Sequence, residues 1–187
     1  AWAGHMASVG PVQFYNTVSF CDYPPGYMNI LWLIGLLGNA IGGVTEFMVK
    51  SPAIVSDVLI CLVLYLQAKD ALGHRPALLL SLIWALNPVS IVTGACWGQT
   101  DSIMTLLLLI AVFQLIKGKW KIALPVYVAA VLIKPQALMF GPLGLAALIL
   151  HLKNTKCDKK TLQDIFIGIG LSVAVFLALA LPFIVDI

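Results

Sequence analysis

Long apolar runs that carry almost no charge are the feature that most constrains this chain. A helix that crosses the hydrocarbon core of a bilayer needs about 20 predominantly apolar residues, and runs of this kind recur along the sequence. The composition agrees, since 61% of the 187 residues are hydrophobic and 10% are charged, with a mean hydropathy of +1.01. Soluble domains carry about 25% charged residues, and disordered chains are poor in apolar residues. The sequence therefore excludes both classes and predicts a polytopic membrane protein.

The runs predict an all-α transmembrane helix bundle of about six spans. The candidate spans are 47–68, 77–96, 102–116, 122–133, 137–151 and 165–185. A further stretch, 28–45, is rich in glycine, and we interpret it as a juxtamembrane helix in the outer interface. We read residues 1–27 as a loop, so that 1–46 precedes a membrane bundle formed by 47–187. We also expect the chain to be a fragment of a longer protein.

The basic residues predict the orientation of the chain. Nine of its eleven lysines and arginines lie in three connections between spans. They are Lys69, Arg75, Lys117, Lys119, Lys121, Lys153, Lys156, Lys159 and Lys160. If each span crosses once, these connections share one side, which the positive-inside bias marks as cytoplasmic. The net charge of +3 is too small to indicate a nucleic-acid partner.

Cysteine and histidine spacing predicts neither a zinc site nor a disulfide framework. The four cysteines show no CxxC pair, and the three histidines are scattered. Each polar motif also holds too few acids for an oxygen-ligand cage. No cofactor is predicted, and the sequence leaves metal dependence open.

The first polar motif is the run Cys21-Asp22-Tyr23-Pro24-Pro25-Gly26-Tyr27. Two consecutive prolines stop a helix at Tyr23 and hold an acid and two tyrosines rigidly before the interfacial segment. This arrangement suits a wall that binds a sugar. A helix-entry turn with a solvated Asp22 is an equally good interpretation.

The second motif combines Asn87-Pro88 with Trp97-Gly98-Gln99-Thr100-Asp101-Ser102. Pro88 removes a backbone hydrogen bond and predicts a kink. The cluster that follows brings an indole, an amide, two hydroxyls and a carboxylate to the outer end of a span, as carbohydrate recognition requires. The alternative is an interfacial tryptophan followed by a helix cap at Thr100 or Asp101. We favour the functional interpretation, because so many polar groups converge.

The third motif is Lys134-Pro135-Gln136, which lies between two apolar helices. Its lysine lies on the side that is otherwise almost free of basic residues, where it would meet an anion such as a lipid phosphate. The alternative is a lysine that snorkels beside a turn, although such a lysine would violate the positive-inside bias.

Asp57 lies early in the first span and follows Ser56. We interpret it as a hydrogen-bonding acid that fixes helix packing, with Lys50 as its candidate partner. Gly168 and Gly170 are interpreted as small packing residues in the last span.

With these motifs, the chain resembles the multi-spanning GT-C glycosyltransferases. It is most similar to bacterial relatives of the GPI-anchor mannosyltransferases and, more distantly, to dolichyl-phosphate-glucose glucosyltransferases. The resemblance rests on the ordered motifs at 22–25, 56–57, 87–88, 97–102 and 134–136. Each motif is weak alone, whereas the ordered set is more specific.

The resemblance implies that a sugar, mannose- or glucose-like, leaves a polyprenyl-phosphate donor and joins an acceptor hydroxyl with inversion. The acceptor is a glycan or a lipid, and the site faces outward from a membrane that we expect to be the bacterial cytoplasmic membrane. The general base of that family lies upstream of the Asp-Tyr-Pro-Pro motif, so we expect it to precede Ala1. The residues assigned to the site are Asp22 and Asp101 as catalytic acids, and Tyr23, Trp97, Gln99, Lys134 and Gln136 as substrate-binding groups.

Two other functions compete with this one. A secondary transporter would use the kinked helix, Asp57 and Lys134 as a solute pathway. Against it, the polar motifs gather at one membrane face and no inverted repeat is visible. A non-catalytic subunit of an envelope-assembly complex would use the polar clusters as interhelical contacts.

Overall fold

The computed structural model describes residues 2–184, and every regular element among them is helical. The α-helices are α1 (Trp2–Thr17), α2 (Pro25–Ala40), α3 (Glu46–Leu72), α4 (His74–Ala85), α5 (Pro88–Ser90), α6 (Asp101–Ile116), α7 (Trp120–Ile133), α8 (Gly141–Asn154) and α9 (Lys159–Ala180). A π-helix (Ile91–Cys96) and two 3-10 helices (Pro135–Phe140 and Leu181–Phe183) complete the elements. The prediction of an all-α fold is confirmed.

Four helical stretches in the described chain are long and apolar enough to cross a bilayer. They are Glu46–Leu72, His74–Cys96, Pro135–Asn154 and Lys159–Phe183. The helices α6 and α7 are also apolar, but their 16 and 14 residues rise only about 24 and 21 Å at 1.5 Å per residue. The protein is therefore an integral membrane protein. The total of six spans stays a prediction, and residues 185–187 of the last predicted span lie outside the described residues.

One compact unit comprises residues 2–8 and 30–106. Within it α3 and α4 pack along each other and are joined at Gly73, whose φ of +83° favours glycine. The Ser81 hydroxyl donates to the Cys61 carbonyl at 2.8 Å, which fastens α4 to α3 inside the apolar interface. The Thr45 hydroxyl accepts from the Met48 amide at 3.3 Å and caps the start of α3.

The other compact unit comprises residues 9–29 and 107–184. Its most extensive helix pair is α7 with α9. A Cβ at Gly168 would lie 2.8 Å from the Trp120 carbonyl oxygen, so glycine permits the helices to approach this closely. Gly168 is thus a packing residue, as predicted, whereas a Cβ at Gly170 would meet nothing within 4 Å.

The reading of residues 1–27 as a loop is wrong for their first part, because the structure forms α1 there. The helix is interrupted at Gly10, whose φ is +77°, and resumes with Pro11. The length of apolar runs does not identify α1, because this helix is stabilised by the burial of one side rather than by uniform hydropathy. Met6 in the first unit and Phe14 in the second are both fully buried. The division at residue 46 concerns placement relative to the membrane and stays a prediction.

Candidate functional site

The helix that leads to the Trp97–Ser102 motif is kinked at Asn87-Pro88, which confirms the sequence prediction. Asn87 has an extended backbone, with φ −68° and ψ 116°, and its side chain accepts from the Val89 amide at 2.9 Å. Because Pro88 has no N–H to donate, a new helix starts there, and residues 91–96 continue as a π-helix. Such π turns occur frequently at functional sites.

Asp101 lines a cavity of about 250 Å³ in the first unit. The walls are Trp84, Asn87, Val89, Ser90, Thr93, Asp101, Ser102 and Thr105. All but one of these side chains carry a hydrogen-bonding group, and the volume lies just below the range of about 300–1,000 Å³ that is typical of ligand pockets. An indole, an amide, hydroxyls and one carboxylate are groups that recognise a monosaccharide. The kinked helix thus adds Trp84, Ser90 and Thr93, which lie outside the predicted motif, to the walls around Asp101.

Asp57 lies beside this cavity and is held by helix α4. The Trp84 indole donates to Asp57 Oδ1 at 3.1 Å, and a Cβ at Gly94 would lie 2.7 Å from Oδ2. Trp84 and Ser90 also line a neighbouring cavity of about 190 Å³, in which Asp57 forms part of the wall. The interpretation of Asp57 as a packing acid therefore has a partner, Trp84.

Lys50 does not form the predicted ion pair with Asp57. It pairs instead with Glu46, one helical turn earlier on α3. This contact needs no tertiary approach, because residues i and i+4 are neighbours on a helix. The methylene chain of Lys50 also covers Gly98, whose Cβ would lie 3.0 Å from Lys50 Cγ.

Trp97 and Gln99 do not line the cavity that contains Asp101. The Trp97 side chain is 72% exposed, and Gln99 is half-buried. Thr100, between Gln99 and Asp101, is 1% exposed, and its hydroxyl has no hydrogen-bond partner among the described residues. Thr100 therefore does not cap α6 through its side chain. The assigned roles of Trp97 and Gln99 stay predictions.

The Cys21–Tyr27 motif, in the second unit, forms a turn that tyrosines hold in place. The Tyr15 hydroxyl donates to the Tyr23 carbonyl at 2.8 Å, and the Tyr23 and Tyr27 rings lie 5.2 Å apart. Helix α2 begins at Pro25, and Asp22 is exposed immediately before it. Burial and the neighbouring Tyr23 raise the pKa of Tyr27 to about 12. Burial likewise raises the pKa of Tyr15, so both remain phenols at neutral pH.

Gly26 brings this turn against the end of α7. A Cβ at Gly26 would lie 2.5 Å from the Leu132 carbonyl oxygen and 3.1 Å from the Ile133 nitrogen. Only a glycine permits the two backbones to approach so closely. Lys134 follows directly, with an extended backbone and a half-buried side chain, and Gln136 is exposed at the start of the 3-10 helix.

Within the second unit, the structure brings Gly26, in the motif that holds Asp22 and Tyr23, against Leu132 and Ile133, which directly precede Lys134. Convergence of the side chains of the two motifs stays a prediction. In the first unit, Asp101 belongs to the same motif as Trp97 and Gln99, but it lines a cavity that neither of them lines. Convergence of the two sets around one site stays a prediction.

No group of three or more His, Cys, Asp or Glu residues within 2–184 is arranged to hold a metal ion.

The protein family described as dolichyl-phosphate-mannose-protein mannosyltransferase matches residues 22–185 of the chain. It thus covers most of the chain, including every motif named above except for Cys21 of the first. No curated protein and no solved structure matches the chain.

Proposed function

Because the chain belongs to the dolichyl-phosphate-mannose-protein mannosyltransferase family, a family of membrane glycosyltransferases, we propose the following reaction for it. It transfers a mannose- or glucose-like sugar from a polyprenyl-phosphate donor to a hydroxyl of a glycan or lipid acceptor. The transfer inverts the anomeric carbon and takes place at the outer face of what we propose is a bacterial cytoplasmic membrane.

The observation that supports this proposal is the close approach of Gly26, four residues after Asp22, to Leu132 and Ile133, which directly precede Lys134. A transferase of this kind needs a cation for the departing phosphate next to groups that bind hydroxyls. The ammonium of Lys134 is suited to the first role, since lysine binds phosphate as a point charge. Asp22 and Tyr23 supply a carboxylate acceptor and an aromatic face for the second.

In the proposed step the acceptor oxygen attacks the anomeric carbon as the bond from that carbon to the phosphate oxygen breaks. The bonding electrons pass to the lipid phosphate, and the acceptor proton passes to a carboxylate base. Lys134 stabilises the charge that develops on the leaving phosphate, where a low dielectric strengthens the attraction. Asp22 supports the acceptor through hydrogen bonding.

Asp101 is proposed to hold sugar hydroxyls. It begins α6, where the helix dipole favours a negative charge, and the polar cavity beside it suits a monosaccharide. Trp97 and Gln99 would complete the sugar site from the same motif, and Gln136 would contact the donor beside Lys134.

A transfer assay on the full-length protein in lipid tests these assignments, with polyprenyl-phosphate mannose and polyprenyl-phosphate glucose as separate donors. We expect Lys134→Ala to lower kcat by about 100-fold, in the range found when a group that stabilises developing charge is removed. We expect Asp101→Asn to raise KM for the donor. The matched controls are Lys159→Ala and Asp70→Asn, which remove exposed charges elsewhere and should leave both constants unchanged.

Undiminished transfer in both Lys134→Ala and Asp101→Asn would contradict the site assignments. The anomeric configuration of the product, read by NMR, tests inversion. Solute uptake without transfer would favour the secondary transporter. Neither transfer nor uptake in the wild type, together with a bound partner protein that the same variants release, would favour the assembly subunit.

A further inference from the structure

An apolar cavity of about 230 Å³ lies between α6, α7 and α8, in the second unit. Leu108, Ala111 and Leu115 line it at helical spacing from α6, and Gly144 lines it from α8. Along α7 it extends from Trp120 to Tyr127, a rise of about 10 Å at 1.5 Å per residue. Its walls are nearly all hydrocarbon, so it is shaped for a segment of lipid chain rather than for water.

Trp120 at one end of this cavity has an unsatisfied donor. Its side chain is 2% exposed, and its indole N–H has no acceptor among the described residues. The His151 ring packs against it with centroids 5.6 Å apart. Because an unpaired donor is costly where water is absent, a ligand with a carbonyl oxygen at this depth would satisfy it.

The same end of the cavity is positively charged. Lys117, Lys119 and Lys121 surround Trp120 in the sequence, and all three are exposed. Lys121 approaches Asp164 at 4.0 Å, so an acid on α9 offsets part of this charge. Basic pockets between transmembrane helices bind anionic lipid headgroups.

We propose that this cavity binds one acyl chain of an anionic glycerophospholipid. Its phosphate lies on the lysines at 117, 119 and 121, and its ester carbonyl accepts from the Trp120 indole. The ester distinguishes this ligand from a polyprenyl phosphate, which has a phosphate and a chain but no carbonyl. The site is separate in sequence from the motifs assigned to sugar transfer and does not rest on the proposed function.

Quenching of tryptophan fluorescence by brominated lipids tests the proposal on the full-length protein in nanodiscs. The discs contain phosphatidylcholine with a minor fraction of phosphatidylglycerol, and either lipid carries the bromine at a matched fraction. The contribution of Trp120 is the difference between the wild type and Trp120→Phe. We expect it to be quenched more strongly by brominated phosphatidylglycerol than by brominated phosphatidylcholine.

Two variants with matched controls separate the chain from the headgroup. Gly144→Leu fills the cavity, since a Cβ there meets nothing within 4 Å, and should abolish the specific quenching. Gly170→Leu is its control, because Gly170 also has open space but does not line the cavity. Lys117→Gln with Lys119→Gln should weaken the preference for phosphatidylglycerol by about fivefold per lysine, whereas Lys69→Gln with Arg75→Gln should not.

Equal quenching by the two brominated lipids in the wild type would overturn the anionic preference. If both pairs of charge variants lose the preference for phosphatidylglycerol equally, the preference comes from general surface charge and not from the lysines beside Trp120. Unchanged quenching in Gly144→Leu would show that the acyl chain does not occupy the cavity. If added polyprenyl phosphate relieves the quenching by brominated phosphatidylglycerol and added unbrominated phosphatidylglycerol does not, the cavity binds the polyprenyl lipid instead.

Discussion

Each compact unit has a glycine that packs closely against another part of the chain, in or near a polar motif, but the two glycines face different kinds of atom. Gly26 faces the backbone carbonyl of Leu132, whereas Gly94 faces the carboxylate of Asp57. A backbone group at the end of a helix cannot move without displacing that helix, whereas a carboxylate can rotate about its side-chain bonds. The turn beside Lys134 is therefore fixed by main-chain packing, and the region around Asp57 can adjust.

The largest expected effect is that of Gly26→Ala. The added methyl group would overlap the Leu132 carbonyl, so we expect a loss of about 3 kcal/mol, the upper range for overpacking. The free energy of unfolding, measured by denaturant titration in micelles, checks this. Transfer activity should fall as well, because the Asp22-Tyr23 turn would move away from Lys134.

Gly170→Ala is the control for this measurement, since a Cβ there meets nothing within 4 Å. A loss in Gly26→Ala no greater than in this control would mean that the turn is not held by backbone packing, and the contrast with Gly94 would disappear.

The next effect concerns pH and is confined to the second unit. Burial raises the pKa of Tyr27 from 10.0 to about 12, so the folded state resists its ionisation. The resulting stability is present below pH 10 and is lost progressively as the pH rises from 10 through 12, amounting to about 2 to 3 kcal/mol. Unfolding free energies across this window should fall less steeply in Tyr27→Phe than in the wild type. Parallel pH profiles would show that Tyr27 is not buried.

A smaller effect is expected for Gly94→Ala. Its methyl group would meet Asp57 Oδ2 at 2.7 Å, and rotation of that carboxylate should limit the loss to about 1.5 kcal/mol. In a double-mutant cycle, Asp57→Ala should offset much of this loss, because the methyl group then occupies the space of the carboxylate. Strictly additive losses would show that Asp57 does not contact residue 94.

The smallest effect is that of Trp84→Phe, which removes the 3.1 Å hydrogen bond to Asp57. Polar side-chain bonds between helices in membranes contribute about 0.6 kcal/mol on average, and we expect a loss of this size in unfolding free energy. Trp32→Phe, which leaves Asp57 untouched, is the comparison. A loss several times larger would mean that Trp84 fixes the helix pair and that the first unit is as rigid as the second.

Local chemistry explains which parts of the fold could be predicted from the sequence. Uncharged apolar runs identified the long helices, and the missing N–H of Pro88 identified the kink. The Lys50–Glu46 pair was missed although its i, i+4 spacing is readable. Helix α1 was missed because its evidence is burial on one side rather than a long apolar run.

The contacts within the candidate site depend on distant parts of the chain. Gly26 meets Leu132 across more than 100 residues, and nothing in either local sequence identifies the other. Likewise, Asp57 finds Trp84 only through the register of α3 on α4. Residue types could thus nominate Asp22, Asp101 and Lys134, but only tertiary packing decides which of them become neighbours.

The π-helix at Ile91–Cys96 has a consequence for how this segment tolerates insertions and deletions. A π turn accommodates one more residue than an α turn over the same hydrogen-bonded loop. Removal of a single residue from 91–96 would allow an ordinary α turn to form in place of the π turn, and the residues after it would keep nearly the same direction around the axis. Trp97 would then point toward nearly the same side of the helix. The wider turn therefore absorbs one residue without changing the direction in which the following motif leaves the span.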